Sequence, residues 1–253
     1  MVERIDRYGN KIETKKRNAF FAPTLAVVIV AVLVFSVGVF FRVRTIEVEG
    51  ASKYTEEEII SASGLQYGDN LFFVNRFSAS SNIFSRLPFV DSASIDRSFP
   101  STIIIRVEES SAEAWVDWMG QSWLLTVDGK LLGTATEEDT DPLISVKGIS
   151  PVTPSGGSAM EVATEDESSF LYLMDILQAM QAQGFLGDVN ELDMSVVTDP
   201  VFRYLDRFTV SLGARGDTEY KLRLVLGAVA QLETDYTGYI DVSDGETVYV
   251  RPD

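Results

Sequence analysis

Carboxylates are the one abundant reactive group in this sequence. Asp and Glu number 38 against 21 Lys and Arg, and neither His nor Cys occurs in the 253 residues. The acids gather as Glu56-Glu57-Glu58, Glu108-Glu109, Glu137-Glu138-Asp139 and the pair Asp241 and Asp244. Two carboxyls facing each other across a cleft can hydrolyse a glycosidic bond, and their separation decides how. No spacing here fixes such a pair, and acids collect at helix N-termini and in loops for electrostatic reasons alone. A solvated acidic face is therefore the plainer reading of each cluster.

The missing residues exclude more. Without His there is no imidazole base, no Ser-His or Cys-His nucleophile, and no usual zinc ligand. Without Cys there is neither a disulfide nor a thiolate site. Asp128, Asp241 and Asp244 stand in or beside turns and lack the D-x-D-x-D-G spacing of a calcium loop. Gly156-Gly157 has no following Lys and no strand–helix frame, so it is no phosphate loop. No metal or cofactor is expected. A net charge of −17 argues against nucleic acid, whose binding needs Lys and Arg. Trp115, Trp118 and Trp123 could stack on a glycan, but core packing is the commoner use of such rings.

The charge is unevenly placed. Residues 1–18 hold six basic and three acidic residues, whereas the stretch from Arg42 onward holds 15 basic and 35 acidic. Between them Ala19 to Phe41 is uncharged. As a helix this run is about 34 Å long, enough for a hydrocarbon core of about 30 Å. It is too long for the apolar region of a cleaved signal and ends in VGVFFRVR, so an uncleaved anchor is expected. Lys15, Lys16 and Arg17 place the N-terminus in the cytoplasm and the remainder outside.

The chain after the anchor is predicted to be α+β. From Thr45 to about Trp115 it reads strand, helix, helix, strand, strand. Thr55 and Glu58 have capping-box spacing, and Gly64 fits the stop of that helix. The second helix is predicted over Asn75 to Arg86, with Phe77, Ile83, Phe84 and Leu87 packing. STIIIRVEES is a β-branched strand. One sheet with both helices on one face satisfies this order. From Trp115 onward come strands at WVDWM, SWLLTVD and KLLGTA, then EEDTDP as a charged loop. A strand at PLISVKGIS and a Pro/Gly/Ser-rich loop follow. A helix is predicted over Glu165 to Gln183, with strands at VNELDMSV and FTVSLG. A last helix over Asp217 to Glu233 has Leu222, Val225, Val229 and Leu232 on one face. GYIDVSDGETVYVRPD reads as two strands around the turn dipeptide Asp244-Gly245.

Six patches in order resemble the bacterial cell-division family FtsQ/DivIB. The fullest is LPFVDSASIDRSFPSTIIIRVEESSAEA. It supplies Pro88, Phe89, Val90, Ala93, Ile95, Arg97, Phe99, Pro100, Ile105, Val107 and Glu109 of the family pattern. It departs at Phe99, where the family usually has Trp, and at Ser110 and Ala112, where it has Arg and Pro. VRTIEVEGASKYTEEEI, GDNLFFV, LLTVDGKLL, YKLRLVLGAVAQL and GYIDVSDGETVYV are the other patches.

The resemblance implies a cytoplasmic stub (1–18), a transmembrane helix (19–41), a POTRA domain (43–113) and a β-domain (114–253). It implies a non-catalytic scaffold in the cell membrane at the division septum. The scaffold would bind FtsB/DivIC-like and FtsL-like single-pass proteins and, through them, the septal peptidoglycan synthase. It also implies that the partner adds a strand beside Tyr239, Ile240, Asp241, Val242, Ser243, Asp244, Tyr249 and Val250, with Lys221 and Arg223 on the helix behind. An anchored cell-wall enzyme using a carboxylate pair and a POTRA-type chaperone or transport module are the alternatives.

Overall fold

A computed structural model describes residues 21–252; the basic stub 1–18 lies outside the described residues. Helix α1 (Phe21–Phe40) opens the fold. Among the described residues it is the one helix long and apolar enough to cross a membrane, and none of that span is buried against the rest of the chain. The core helix of a soluble domain would be covered, and this one is not.

A three-stranded sheet follows, made of β1 (Thr45–Glu49), β2 (Val90–Ser98) and β3 (Thr102–Glu109). Its order is β1-β3-β2, with β1 parallel and β2 antiparallel to β3. Helices α2 (Glu56–Ser63) and α3 (Arg76–Arg86) cover it. Their ends follow local chemistry. Thr55 and Glu58 make the reciprocal capping box, and Gly64 closes α2 in the left-handed region that a Cβ disfavours. Asn75 caps α3 by accepting the Ser78 N–H. On β3, alternation sends Ile103, Ile105 and Val107 inward onto Ile59, Leu71, Ala79 and Ile83.

The second core lies under a nine-stranded sheet. Its strands are β4 (Ala114–Trp118), β5 (Gln121–Leu125), β6 (Leu131–Ala135), β7 (Ile144–Lys147), β8 (Val189–Asp193), β9 (Val201–Tyr204), β10 (Phe208–Ser211), β11 (Gly238–Asp241) and β12 (Tyr249–Pro252). The order is β12-β11-β10-β9-β8-β7-β4-β5-β6. A short helix α4 (Glu137–Thr140) follows β6, and helices α5 (Glu167–Gln183) and α6 (Thr218–Val229) pack on each other. Leu173, Ile176, Leu177 and Met180 of α5 and Leu222 and Val225 of α6 are buried in this core. The two units meet where Lys130 Nζ donates to the Val90 carbonyl at 2.7 Å and lies over the Phe84 ring.

The structure corrects five expectations. EEDTDP is not all loop: the Asp139 carboxylate accepts from the Thr136 N–H and hydroxyl and starts the single turn α4. Strand β9 was not expected, because its turn to β10 uses Leu205 and Asp206 at positive φ rather than Gly or Asn. The pair around Asp244-Gly245 forms, but Asp241 is opposite Tyr249, so the connection is longer than a two-residue turn. Phe77 and Phe84 are exposed, because Ala79 and Ile83 fill the covered face of α3. Helix α6 stops at Val229, short of Glu233.

Candidate partner-binding site

Strand β12 is one edge of the nine-stranded sheet, and β6 is the other. A strand edge carries unpaired N–H and C=O groups unless something covers it. On β6 the loop at Gly157 and Ser158 does so. Leu131 donates to the Ser158 carbonyl at 2.8 Å, and Gly157 donates to the Leu131 carbonyl at 2.7 Å. No described segment pairs with the outer side of β12.

Register fixes which groups that side presents. The N–H groups of Gly238 and Val242 donate into β10, to the carbonyls of Arg207 and Ser211. Alternation then turns the backbone groups of Tyr239 and Asp241 toward β12, where they meet Arg251 and Tyr249. The N–H and C=O of Val250 are therefore the pair on the open edge. Pro252 lacks an N–H and is tolerated there for that reason.

Beside this edge runs a groove of about 430 Å³ between α6 and the approach to β12, lined mainly by Leu224, Gly227, Ala228, Leu232, Val248 and Val250. Gly227 has no atom within 4 Å of where a Cβ would stand, so its missing side chain leaves the groove open. Gly238 has the opposite reason for being Gly: a Cβ there would lie 2.2 Å from the Arg251 carbonyl oxygen, so a larger residue would push β12 away.

The ten expected contact residues divide by burial. Tyr249 is 61% exposed, Ser243, Asp244 and Arg223 are exposed, and Tyr239, Asp241 and Val250 are half-buried. Ile240 and Val242 point into the core and are fully buried. Asp241 accepts the Ser243 N–H at 2.9 Å. Asp244 accepts the N–H groups of Glu246 and Thr247, and those bonds hold its carboxyl below the usual aspartate range. Arg223 pairs with Glu219 one helical turn earlier.

Lys221 is not on the surface. It is 6% exposed, and its ammonium donates to the carbonyls of Leu212 at 2.7 Å and Ala214 at 2.8 Å. Burial pushes its pKa down, against the opposing charges of Asp199 and Asp244. The Tyr172 hydroxyl donates to the intervening Gly213 carbonyl at 3.0 Å. Three successive inward carbonyls thus have buried donors, which fixes the loop that leads into α6. A Cβ on Gly213 would come within 2.5 Å of the Ser243 Cβ, so this loop lies directly against the turn after β11. Lys221 supports the site from inside.

The acidic clusters have local roles. Glu58 and Asp139 cap helices, and Glu108 accepts from Ser92. Among the described residues no group of three or more Asp or Glu is placed to hold a metal ion. The Trp residues do not share one platform. Val116 is opposite Trp123, which puts Trp118 and Trp123 on one face and Trp115 on the other.

The family description "POTRA domain, FtsQ-type" matches residues 41–110, which hold the first sheet and its helices. The chain is 25% identical to a "Cell division protein DivIB" of Clostridium botulinum, over 83% of this chain and 82% of that protein. It is 25% identical to a "Cell division protein FtsQ" of Corynebacterium glutamicum, over 67% and 79% respectively. It is 26% identical to a "Cell division protein FtsQ" of Syntrophotalea carbinolica, over 85% and 75%. Residues 41–110 are thus a POTRA domain of the FtsQ type, and relatives named FtsQ or DivIB align with most of the chain.

The FtsQ-type match includes the motif at the end of β3. The Glu109 carboxylate of this FtsQ-type domain accepts from the N–H of Ser52, Lys53 and Tyr54 and from the Ser52 hydroxyl. It ties the β1–α2 turn to the end of β3, which lies beside it because the two strands are parallel. Tyr54 in turn accepts the Phe89 N–H, which carries the tie to the residues just before β2. The departures from the family pattern at Ser110 and Ala112 fall immediately after β3, outside this tie.

Proposed function

We propose that this chain is a member of the FtsQ/DivIB family and a non-catalytic, single-pass scaffold of the bacterial division machinery. The N-terminal stub lies in the cytoplasm; the POTRA domain (43–113) and β-domain (114–253) lie outside, at the septum. An FtsB/DivIC-like partner adds a strand to β12. That partner brings an FtsL-like protein and the septal peptidoglycan synthase with it.

The observation that carries this reading is the open N–H and C=O of Val250 beside the groove under α6. Strand addition satisfies both backbone groups, and alternate side chains of the incoming strand drop into the groove. Tyr239, Asp241, Ser243, Asp244, Tyr249 and Arg223 surround that seam. Ile240 and Val242 contribute through the β11 backbone. The basic stub and the acidic remainder are consistent with the stated orientation.

The test is depletion of the protein in its host. Filamentous cells with unfinished septa are the expected result; normal division after clean removal would contradict the scaffold role.

A further inference from the structure

The end of α1 is not a free swivel. Its C-terminal carbonyls should lack partners, since the last turn of a helix has no following N–H groups. Here the Asn70 side-chain amide donates to the Val37 carbonyl at 3.0 Å, and Arg42 Nε donates to the Gly38 carbonyl at 3.2 Å. The Leu71 N–H donates to the Phe41 carbonyl at 2.7 Å. Val43 and Gly68 continue the clasp through Val43 N–H to Asp69 O and Gly68 N–H to Val43 O, both at 2.8 Å. The loop between α2 and α3 is therefore fastened to the exit of the apolar helix.

That loop is aromatic and outward-facing. Phe41 meets Phe72 edge-on at 4.9 Å and Phe99 at 5.9 Å, and Phe72 and Phe99 lie 5.3 Å apart. Phe73 is 82% exposed, one residue beyond this ring cluster, and Phe77 is 84% exposed in the first turn of α3. Single exposed apolar residues are ordinary, but four exposed phenylalanines, two in ring contact at the helix exit and two on the segment leading from it into α3, are not. Exposed Arg42, Arg44 and Arg76 stand among them. Aromatic rings with flanking cations are the composition that settles at the boundary between acyl chains and headgroups.

We propose that the α2–α3 loop and the first turn of α3 lie in the headgroup layer of the bilayer, with Phe72, Phe73, Phe77 and Phe99 set into it. The inference rests on the reading of α1 as a membrane anchor. Lipid is the occupant because the patch is continuous with α1, whose apolar span is not buried against the described residues. With the clasp, it would make the POTRA domain stand at a fixed angle to the membrane instead of swinging on a tether.

The chain has no Cys, so single thiols can be placed without background. Full-length Phe73→Cys, Phe77→Cys, Val30→Cys and Glu138→Cys proteins would carry an environment-sensitive fluorophore in nanodiscs of phosphatidylethanolamine and phosphatidylglycerol. Nitroxide-bearing lipids serve as quenchers. The expected result is loss of emission at 73 and 77 with a shallow nitroxide, loss at 30 with a deep one, and none at 138. Lipid quenching at 30 with labels at 73 and 77 as aqueous as 138 overturns the inference and leaves the anchor intact. Labels at 73 and 77 that are shielded from water yet unquenched by lipid mean a protein covers the patch, which also overturns it. An aqueous label at 30 overturns the anchor and the inference together.

Discussion

Arg251 holds its guanidinium carbon 4.2 Å from the centre of the Tyr239 ring, and the two residues are directly opposite in the β11–β12 ladder. A cation over an exposed ring contributes about 0.5–1 kcal/mol. This contact fastens a four-residue edge strand whose inner side already pairs with β11, so the edge is formed before a partner arrives. Pre-formed recognition elements lose less entropy on binding.

Gly227 separates binding from stability. Replacing it with Leu raises helix propensity in α6 by about 0.8 kcal/mol, and the new side chain enters the groove. Thermal unfolding should show an equal or higher midpoint. Affinity for the FtsB/DivIC-like partner should fall by about tenfold or more, the factor carried by about 1.4 kcal/mol. A stable variant with unchanged affinity would remove the groove from the site.

Tyr172 tests the internal support of the site. Burial, chiefly, pushes its phenol up to about 12 from an ordinary 10.0. The folded chain keeps this proton at a pH where the unfolded chain has lost it, so stability falls as pH rises from about 10 to about 12. Tyr54 and Tyr204, also pushed up by burial, act in the same direction. Tyr172→Phe should cost about 1–2 kcal/mol at neutral pH through the lost hydrogen bond and should flatten part of the alkaline fall. Denaturant titrations at pH 8 and pH 11 measure both.

Glu109 gives the acid-side counterpart. Burial alone pushes its carboxyl up, but the bonds from Ser52, Lys53 and Tyr54 outweigh it and hold the carboxyl below its ordinary 4.5. A depressed carboxylate contributes stability that is present above that value and lost as pH falls below it. Glu109→Ala should cost about 1–2 kcal/mol at pH 7, since several N–H groups lose one charged acceptor that water partly replaces. Its stability should also depend less on pH as pH falls below about 4.5. A variant with the parent's acid dependence would show that the tie carries no weight.

Features set by neighbours in sequence were legible before the structure. Thr55 with Glu58, Gly64 after α2, and the alternation of Ile103, Ile105 and Val107 each specify their own local geometry. Features set by tertiary contact were not. Lysine is rarely buried, so nothing near Lys221 in the chain announces that three loop carbonyls wait for it and Tyr172. Leu205 and Asp206 carry no Gly or Asn to mark their turn, so nothing in the sequence separates β9 from β10. Phe77 and Phe84 look like core residues by type, yet the small Ala79 already meets the sheet. The groove was half-legible: Leu224, Gly227, Ala228 and Gln231 recur at three and four on α6. The more apolar stripe of Leu222, Val225 and Val229 hides them in the sequence.

The most direct test is amide hydrogen exchange at Val250 in the full-length protein, with and without saturating FtsB/DivIC-like partner. In the free protein this N–H faces the open edge and should exchange fast, while those of Tyr249 and Arg251 are paired into β11 and exchange slowly. Strand addition predicts that the partner makes Val250 as slow as its two neighbours. A Val250 amide that stays fast in the saturated complex would contradict binding at this edge.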